Sequence, residues 1–172
     1  MVAPRIHVCP LSRLPETVKA SGARSLVTLI NEGTPVKRPP AITADKHLVV
    51  TLSDIVIEEP GHTLPNESHV ERLLDFVRTW DQLEPLLIHC WAGVSRSTAA
   101  AFIAACALRP DRDEADIARA VRMNSPTATP NSRLVAIADA KLGRNGRMVA
   151  AITNIGRGRN CFEGAPFALE LR

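Results

Sequence analysis

Residues 89–98 read HCWAGVSRST, and the predicted fold is arranged around this stretch. The apolar residues Leu86 to Ile88 before it predict a short buried strand, and the Ala-rich run Thr98–Leu108 after it predicts a helix. Cys90 therefore lies where a strand ends and a helix is about to begin. Backbone N–H groups at a helix N-terminus lack partners and carry partial positive charge, so the intervening loop is suited to binding an anion.

Two side chains of this loop have the chemistry of an anion-binding reactive site. Five residues separate Cys90 from Arg96, a spacing that lets the chain curl back so that the guanidinium grips two oxygens of an anion held over the sulfur. Gly93 permits backbone geometry that a Cβ would hinder. Because cysteine reacts as its thiolate, the stretch predicts a nucleophile beneath a bound anion.

The stretch resembles the signature of the protein tyrosine phosphatase superfamily, which is His-Cys, five residues, Arg, then Ser or Thr. Residues 89–97 match every fixed position, and their Ala-Gly pair and Ser-Arg-Ser triplet are similar to those of the small dual-specificity-type branch. The resemblance implies one cysteine-dependent phosphatase domain over residues 1–172, working without a metal ion or cofactor. Its substrate would be a phosphorylated protein or a small phosphate ester.

The resemblance also implies roles for individual residues. Cys90 would attack phosphorus, Arg96 would bind the phosphoryl oxygens, and Ser97 would assist departure of the thiolate from a phosphocysteine intermediate. His89 would order the loop backbone, and Asn131 would support the loop or cap its own helix. The residues expected to bind the substrate phosphate are Trp91, Ala92, Gly93, Val94, Ser95 and Arg96.

The resemblance also implies a general acid, which protonates the leaving oxygen, on a loop upstream of the cysteine. Asp54 directly follows the predicted strand His47–Leu52, so we assign it this role and that of the base that later activates water. The chain lacks the Trp-Pro-Asp triplet of the larger tyrosine phosphatases at this point. Three other carboxylates therefore remain alternatives: Asp45, Glu58 and Glu59.

Composition narrows the function classes. The 172 residues are 45% hydrophobic, which predicts one packed domain, and the net charge of +3 does not argue for nucleic acid as a partner. The four cysteines have no metal-binding spacing, and no apolar run approaches the length of a membrane span. We therefore expect a cytoplasmic enzyme with no nucleic-acid or membrane partner, whose thiolate requires reducing conditions. The composition does not specify an oligomeric state.

The order of elements predicts an α/β fold. Strands alternate with helices early and helices dominate later, so we expect a small central, mainly parallel sheet flanked by helices, with a helix-rich C-terminal half. Cys90 should lie at the carboxyl end of a central strand. The predicted strands are 5–9, 25–30, 47–52 and 86–88, with an extended edge piece at 165–171. The predicted helices are 11–20, 98–108, 113–123, 131–142, 146–155 and one that begins at Asn66.

Several functions remain open beside the tyrosine or dual-specificity phosphatase. They are a phosphatase for phosphoinositides or other non-protein esters, a rhodanese-like sulfurtransferase, and a non-catalytic phosphoprotein-binding module. None of the loop residues Trp91, Ala92 and Val94 is basic, which favours a singly phosphorylated substrate such as phosphotyrosine. Four arginines near the C-terminus could meet an acidic partner or form a solvated basic surface: Arg144, Arg147, Arg157 and Arg159.

Overall fold

A computed structural model describes residues 2–172 and contains one five-stranded sheet. Its strands are β1 (Arg5–Pro10), β2 (Ser25–Ile30), β3 (His47–Thr51), β4 (Leu86–Cys90) and β5 (Phe167–Glu170). The strand order is β3-β2-β4-β1-β5, in which β4 is central and only the edge strand β5 is antiparallel to its neighbour. The predicted mainly parallel sheet and the extended C-terminal edge are both confirmed.

The helices lie close to their predicted positions. They are α1 (Leu14–Ser21), α2 (Glu67–Thr79), α3 (Arg96–Leu108), α4 (Glu114–Asn124), α5 (Ser132–Lys141) and α6 (Arg147–Ile155). The helix predicted over residues 11–20 is shorter, because Leu11–Arg13 forms a 3₁₀ turn and α1 begins one residue before Pro15. Proline is favoured in the first turn of a helix, where its missing N–H is not needed. Asn66 caps α2 as predicted, since its side chain accepts the backbone N–H of His69.

Helices cover both faces of the sheet, but unequally. The larger core lies between one face and helices α2 to α6, and the other face is covered by α1 and by the loop that contains Ile42. Helix α3 is buried along its length, because every residue from Arg96 to Cys106 is buried. A helix that is apolar all round is expected in such a position. Its alanines allow the sheet and the neighbouring helices to approach closely.

The fold brings several strand ends to one edge of the sheet. The loop 91–95 joins the central strand β4 to α3, and the parallel strands β2 and β3 end beside it. Residues that directly follow β2 and β3 therefore meet the loop, as expected at the carboxyl edge of an open α/β sheet. Among the residues that the structure describes, no helix is both long and apolar enough to cross a bilayer.

Candidate active site

The backbone of the loop 91–95 is turned so that its carbonyl groups face the surrounding protein. Four of these carbonyls accept a backbone N–H from another part of the chain. The bonds are Leu11 to Trp91 (3.0 Å), Gly164 to Ala92 (2.8 Å), Thr129 to Val94 (2.9 Å) and Asn131 to Ser95 (3.1 Å). Because the carbonyls are held outward, the loop can present its N–H groups to a bound anion.

Glycine is required in the middle of this loop. Gly93 has a φ of +69°, in the left-handed region that side chains rarely adopt. A Cβ at this position would stand 2.7 Å from the nitrogen of Pro10 and 2.9 Å from the carbonyl carbon of Cys9. Since both contacts are with backbone at the end of β1, neither can move aside cheaply. The close packing of the loop on β1 therefore depends on Gly93.

The sulfur of Cys90 lies among hydrogen-bond donors. The side chain is 2% exposed, at the end of β4. Its Sγ is 3.1 Å from Oγ of Ser97, in the first turn of α3, and accepts the backbone N–H of Gly93 at 3.3 Å. A hydroxyl and an amide can both donate to a thiolate, so the surroundings suit a negatively charged sulfur.

Arg96 is held in place from the opposite side of the pocket. Its side chain is buried, and Nη1 donates to the carbonyl of Leu52 at 3.0 Å and to Oδ1 of Asn31 at 2.6 Å. With Nη1 fixed in this way, Nε and Nη2 remain as a pair of donors for an anion. The sequence analysis missed Asn31. It directly follows β2 at the same sheet edge, and that position could have identified it.

His89 ties the loop to the sheet below it. Burial lowers the pKa of His89 to about 4, so its ring is neutral at pH 7. Its Nδ1 lies 3.1 Å from the carbonyl of Cys90, which can only accept, so this nitrogen carries the proton. Its Nε2 then accepts from the Thr28 hydroxyl at 2.8 Å, and that hydroxyl accepts from Nε2 of His47 at 2.8 Å. Thr28, missed by the sequence analysis, is the one hydroxyl within the apolar middle of β2.

The structure places Asp54 beside the loop. Its Oδ1 accepts hydrogen bonds from Oγ of Ser95 at 2.7 Å and from Nδ2 of Asn131 at 2.9 Å. Asn131 also accepts two backbone N–H groups with Oδ1, so the same side chain caps α5. The Asn131 side chain therefore makes both kinds of contact that were predicted for it: it supports the loop region through Asp54, and it caps its own helix.

The alternative carboxylates are placed differently. Asp54 and Cys90 line the same pocket, whereas neither Glu58 nor Glu59 lines it, and both are exposed to solvent. Asp45 lies in a 3₁₀ turn before β3, at the end of that strand remote from the loop. Geometry therefore favours Asp54 over these three residues.

The pocket around Cys90 has a volume of about 340 Å³. Besides the loop, it is lined by Asn31, Asp54 and Cys161. The ring of Phe162 packs edge-on against Trp91, with 5.3 Å between ring centroids and an interplanar angle of 89°. The segment between α6 and β5 thus forms one wall of the pocket, which the sequence analysis did not foresee. In residues 2–172, no group of three His, Cys, Asp or Glu side chains is arranged to hold a metal ion.

Two further cysteines, Cys9 and Cys161, occupy different positions relative to Cys90. Cys161 is exposed and lines the same pocket as Cys90. Cys9 packs with α1 on the other face of the sheet from the core cluster that contains Cys90, and burial raises its pKa to about 12. All four cysteines are free thiols in the structure.

A family model described as protein-tyrosine phosphatase matches residues 56–127, a segment that contains the whole signature 89–97. Residues 56–127 are therefore similar to the protein-tyrosine phosphatases. This match, together with the phosphatase structures that share the fold, confirms the predicted enzyme class, a cysteine-based phosphoric monoester hydrolase. A comparison with curated proteins found no match.

Solved structures confirm the phosphatase fold. Human DUSP28 is 19% identical, with 81% of this chain and 94% of that chain covered and a TM-score of 0.60. DUSP15 is 17% identical, with 90% and 94% covered and a TM-score of 0.61. The PTP-2 phosphatase of Cydia pomonella is 20% identical, with 79% and 84% covered and a TM-score of 0.59. The chain therefore shares its architecture with small phosphatases of distant sequence.

Proposed function

We propose that the protein hydrolyses phosphate monoesters, with phosphotyrosine as the preferred class and phosphoserine or phosphothreonine as further substrates. The observation that carries this proposal is the position of the Cys90 sulfur. It lies 3.1 Å from Ser97 Oγ and 3.3 Å from the Gly93 nitrogen, in a pocket that Arg96 also lines. A phosphoryl group above this sulfur would meet a nucleophile, inward N–H groups and a guanidinium together.

In the first step, the Cys90 thiolate attacks phosphorus and the bond to the leaving oxygen breaks. The backbone N–H groups of residues 91–96 hold the three equatorial oxygens, and Arg96 adds donors that match two of them. Charge that redistributes over these oxygens in the transition state is stabilised by dipoles already in place. The loop and Arg96 supply the positive field, so we expect no requirement for a metal ion.

Proton transfers accompany both steps. Asp54 donates its proton to the leaving oxygen, and as a carboxylate it then accepts a proton from the water that attacks the phosphocysteine. Ser95 and Asn131 hold Asp54 Oδ1, which orients the carboxyl toward the pocket it shares with Cys90. The Ser97 hydroxyl donates to the sulfur as the S–P bond breaks. Inorganic phosphate is released and the thiolate is regenerated.

The walls of the pocket support an aryl phosphate as the preferred substrate. Trp91 is 42% exposed and Phe162 is 79% exposed, so an aromatic surface flanks the pocket that holds Cys90. A phenyl ring esterified to the bound phosphate can pack against this surface. Asp54, which lines the same pocket, is exposed to solvent, so the pocket is also open at Asp54. The need for a reduced Cys90 supports a cytoplasmic setting.

The decisive experiment compares wild type with Cys90→Ser on phosphotyrosine and phosphoserine peptides and on a phosphoinositide. We expect the variant to lose turnover while keeping phosphate binding, because a serine hydroxyl is not ionised at neutral pH. Wild-type turnover should survive excess chelator and be lost to a thiol alkylator, with inorganic phosphate protecting. Substantial turnover by the variant would contradict the assignment of the nucleophile.

The same assay separates the other functions. A phosphoinositide turned over faster than every peptide would favour the lipid phosphatase. Thiocyanate formed from thiosulfate and cyanide would identify a sulfurtransferase. Tight phosphopeptide binding without turnover in wild type would identify a binding module.

A further inference from the structure

We propose that a groove between α1 and the loop 37–41 binds an acidic segment of a partner protein that carries an apolar side chain among its carboxylates. This surface, the basic groove, lies away from Cys90. Binding there does not require the proposed phosphatase activity.

The basic groove has a volume of about 560 Å³, within the range of pockets that hold a ligand. It lies between α1 and the loop that joins β2 to β3. Its apolar walls come from Pro15, Val18, Pro39, Pro40 and Ala41. An apolar side chain that enters the groove can therefore be buried between the helix and the loop.

Four cations accompany these apolar walls, and no Asp or Glu of the described chain lines the groove. The cations are Lys19 and Arg24 on the side of α1, and Lys37 and Arg38 on the loop. All four are exposed, and within residues 2–172 none forms an ion pair. Glu16, beside Pro15, is paired with Arg13 instead. The groove therefore holds four charges that the fold itself does not neutralise, and they attract an anionic partner.

The loop wall of the basic groove is fixed by its own packing. Ile42 is buried and Val36 packs against the same core cluster as α1, so the segment 37–41 is anchored at both ends. The N–H of Ile42 donates to the carbonyl of Pro39 at 3.0 Å. Proline restricts φ, so the pair Pro39-Pro40 stiffens this wall further. A surface that is already ordered loses little conformational entropy when a partner binds.

An acidic peptide fits the basic groove better than a membrane or a single acyl chain. The groove is concave, and none of the large apolar side chains exposed in residues 2–172 lines it, so it offers nothing to insert into a bilayer. A fatty acid has one carboxylate and would leave most of the four cations without a partner. A peptide carries carboxylates on both sides of an apolar residue, spaced about 3.3 Å per residue, and so can reach cations of both the helix and the loop.

The basic groove is remote from the pocket around Cys90. Arg24 precedes β2, whereas Asn31, at the other end of this strand, contacts Arg96. A strand of this length spans roughly 20 Å. The groove and the catalytic pocket share no lining residue. A peptide in the groove and a phosphate at Cys90 should therefore not compete.

The test measures peptide binding by isothermal titration calorimetry. The first peptide has a leucine between two pairs of glutamates. In the second peptide the glutamates are glutamines, and in the third the leucine is alanine. The proteins are wild type and three double variants that each remove two charges: Lys19→Gln with Arg24→Gln, Lys37→Gln with Arg38→Gln, and Arg72→Gln with Arg78→Gln. Arg72 and Arg78 are exposed arginines on α2 that do not line the groove, so their double variant is the matched control.

We expect wild type to bind the first peptide about tenfold more tightly than either altered peptide, because one loses the charge pairs and the other loses buried apolar area. Each double variant of the groove should weaken binding by about fivefold, and the α2 control should stay within about twofold of wild type. Higher salt should weaken binding to wild type, since the paired charges are exposed. Inorganic phosphate should not displace the peptide.

A further pair of variants tests whether the peptide occupies the groove itself. Ala41 is exposed on the apolar wall, so a longer side chain there does not disturb the core. Ala41→Glu places a negative charge among the carboxylates of the peptide and should bind it more weakly than Ala41→Gln, a variant of nearly the same size.

Three results would overturn the proposal. The first is equal affinity for the glutamate and glutamine peptides, or groove variants that bind like the α2 control, which would leave the four cations as a solvated surface. The second is displacement of the peptide by inorganic phosphate, which would move its binding to the catalytic pocket. The third is binding of dodecanoate or of vesicles containing phosphatidylserine, lost in the groove variants, without peptide binding. Cys90→Ser should bind the peptide as wild type does, so failure of the proposed phosphatase function would leave these outcomes unchanged.

Discussion

The floor and the walls of the pocket are built in different ways. The floor is one continuous segment, residues 90–97, which contains the nucleophile, the glycine that the turn requires, the arginine and the serine. The walls come from distant segments and include Asn31, Asp54 and Cys161, with Asn131 holding Asp54 in place. The floor determines which reaction is possible, whereas the walls determine which group leaves and which substrate fits. Variants of the two regions should therefore fail in different ways.

A floor variant should lose activity on every substrate. In Arg96→Lys, an ammonium replaces a planar guanidinium whose Nη1 is held by Leu52 and Asn31, and it cannot donate to two phosphoryl oxygens in the same geometry. We expect kcat/KM to fall by about 10³-fold or more, as when a transition-state arginine is removed from a phosphoryl-transfer site. The loss should be similar on 4-nitrophenyl phosphate and on a phosphotyrosine peptide. Arg78→Lys is the matched control, and a rate for Arg96→Lys near that of wild type would remove Arg96 from the floor.

A wall variant should show selectivity for the leaving group instead. Asp54→Asn keeps the shape and one hydrogen-bond acceptor but cannot protonate the leaving oxygen. We expect phenyl phosphate turnover to fall by about 10²–10³-fold, within the usual range of a general-acid effect. The loss on 4-nitrophenyl phosphate should be under about tenfold, because that phenol leaves readily without a proton. The ratio of the two rates is the measurement.

Glu58→Gln and Glu59→Gln are the controls for Asp54, since both residues lie on the same stretch after β3. Each should leave the ratio of phenyl to 4-nitrophenyl phosphate turnover unchanged. If one of them shows the leaving-group dependence and Asp54→Asn does not, the general acid is that glutamate. The stretch after Asp54 would then have to move relative to the structure described here.

The contrast between floor and walls also explains what the sequence could predict. The order of strands and helices followed from apolar runs and their breaks, and the floor followed from a signature that is continuous in the sequence. The position of Asp54 could be predicted because a residue that follows a parallel strand lies at the same sheet edge as the loop 91–95. Applying the same rule to β2 would have found Asn31, which holds Arg96.

Other parts of the site could not be found in this way. Cys161 reaches the pocket and Phe162 packs against Trp91 because Gly164 donates to the carbonyl of Ala92 and Gly158 fits against Thr127. These are long-range contacts of an irregular segment, in which neither hydrophobic periodicity nor a motif marks the residues. The absence of basic residues at the variable loop positions was interpreted as a preference for one negative charge. Arg157 and Arg159 supply positive charge beside the pocket from outside the loop, and only the tertiary structure places them there.

The smallest effect on turnover is expected for variants of His89, which lies beneath the floor. For this residue the informative measurement is the pH dependence of the free energy of unfolding. Its pKa falls from 6.5 in the unfolded chain to about 4 in the folded one because of burial. Between these values the unfolded state binds more protons, so the free energy of unfolding decreases as the pH falls from 6.5 toward 4, by about 3 kcal/mol in all. His89→Gln removes this titration and should flatten that dependence in urea unfolding at pH 6.5, 5.5 and 4.5.

His7→Gln is the control. Burial and Arg5 lower the pKa of His7 too, but its ring is partly exposed, so the substitution should flatten the pH dependence less. The slope is compared instead of the stability at one pH, because the lost bonds to Thr28 and the Cys90 carbonyl lower stability at every pH. An unchanged slope in His89→Gln would mean that His89 is protonated in the folded protein, and the hydrogen-bond directions assigned from His47 through Thr28 to the loop would then be wrong.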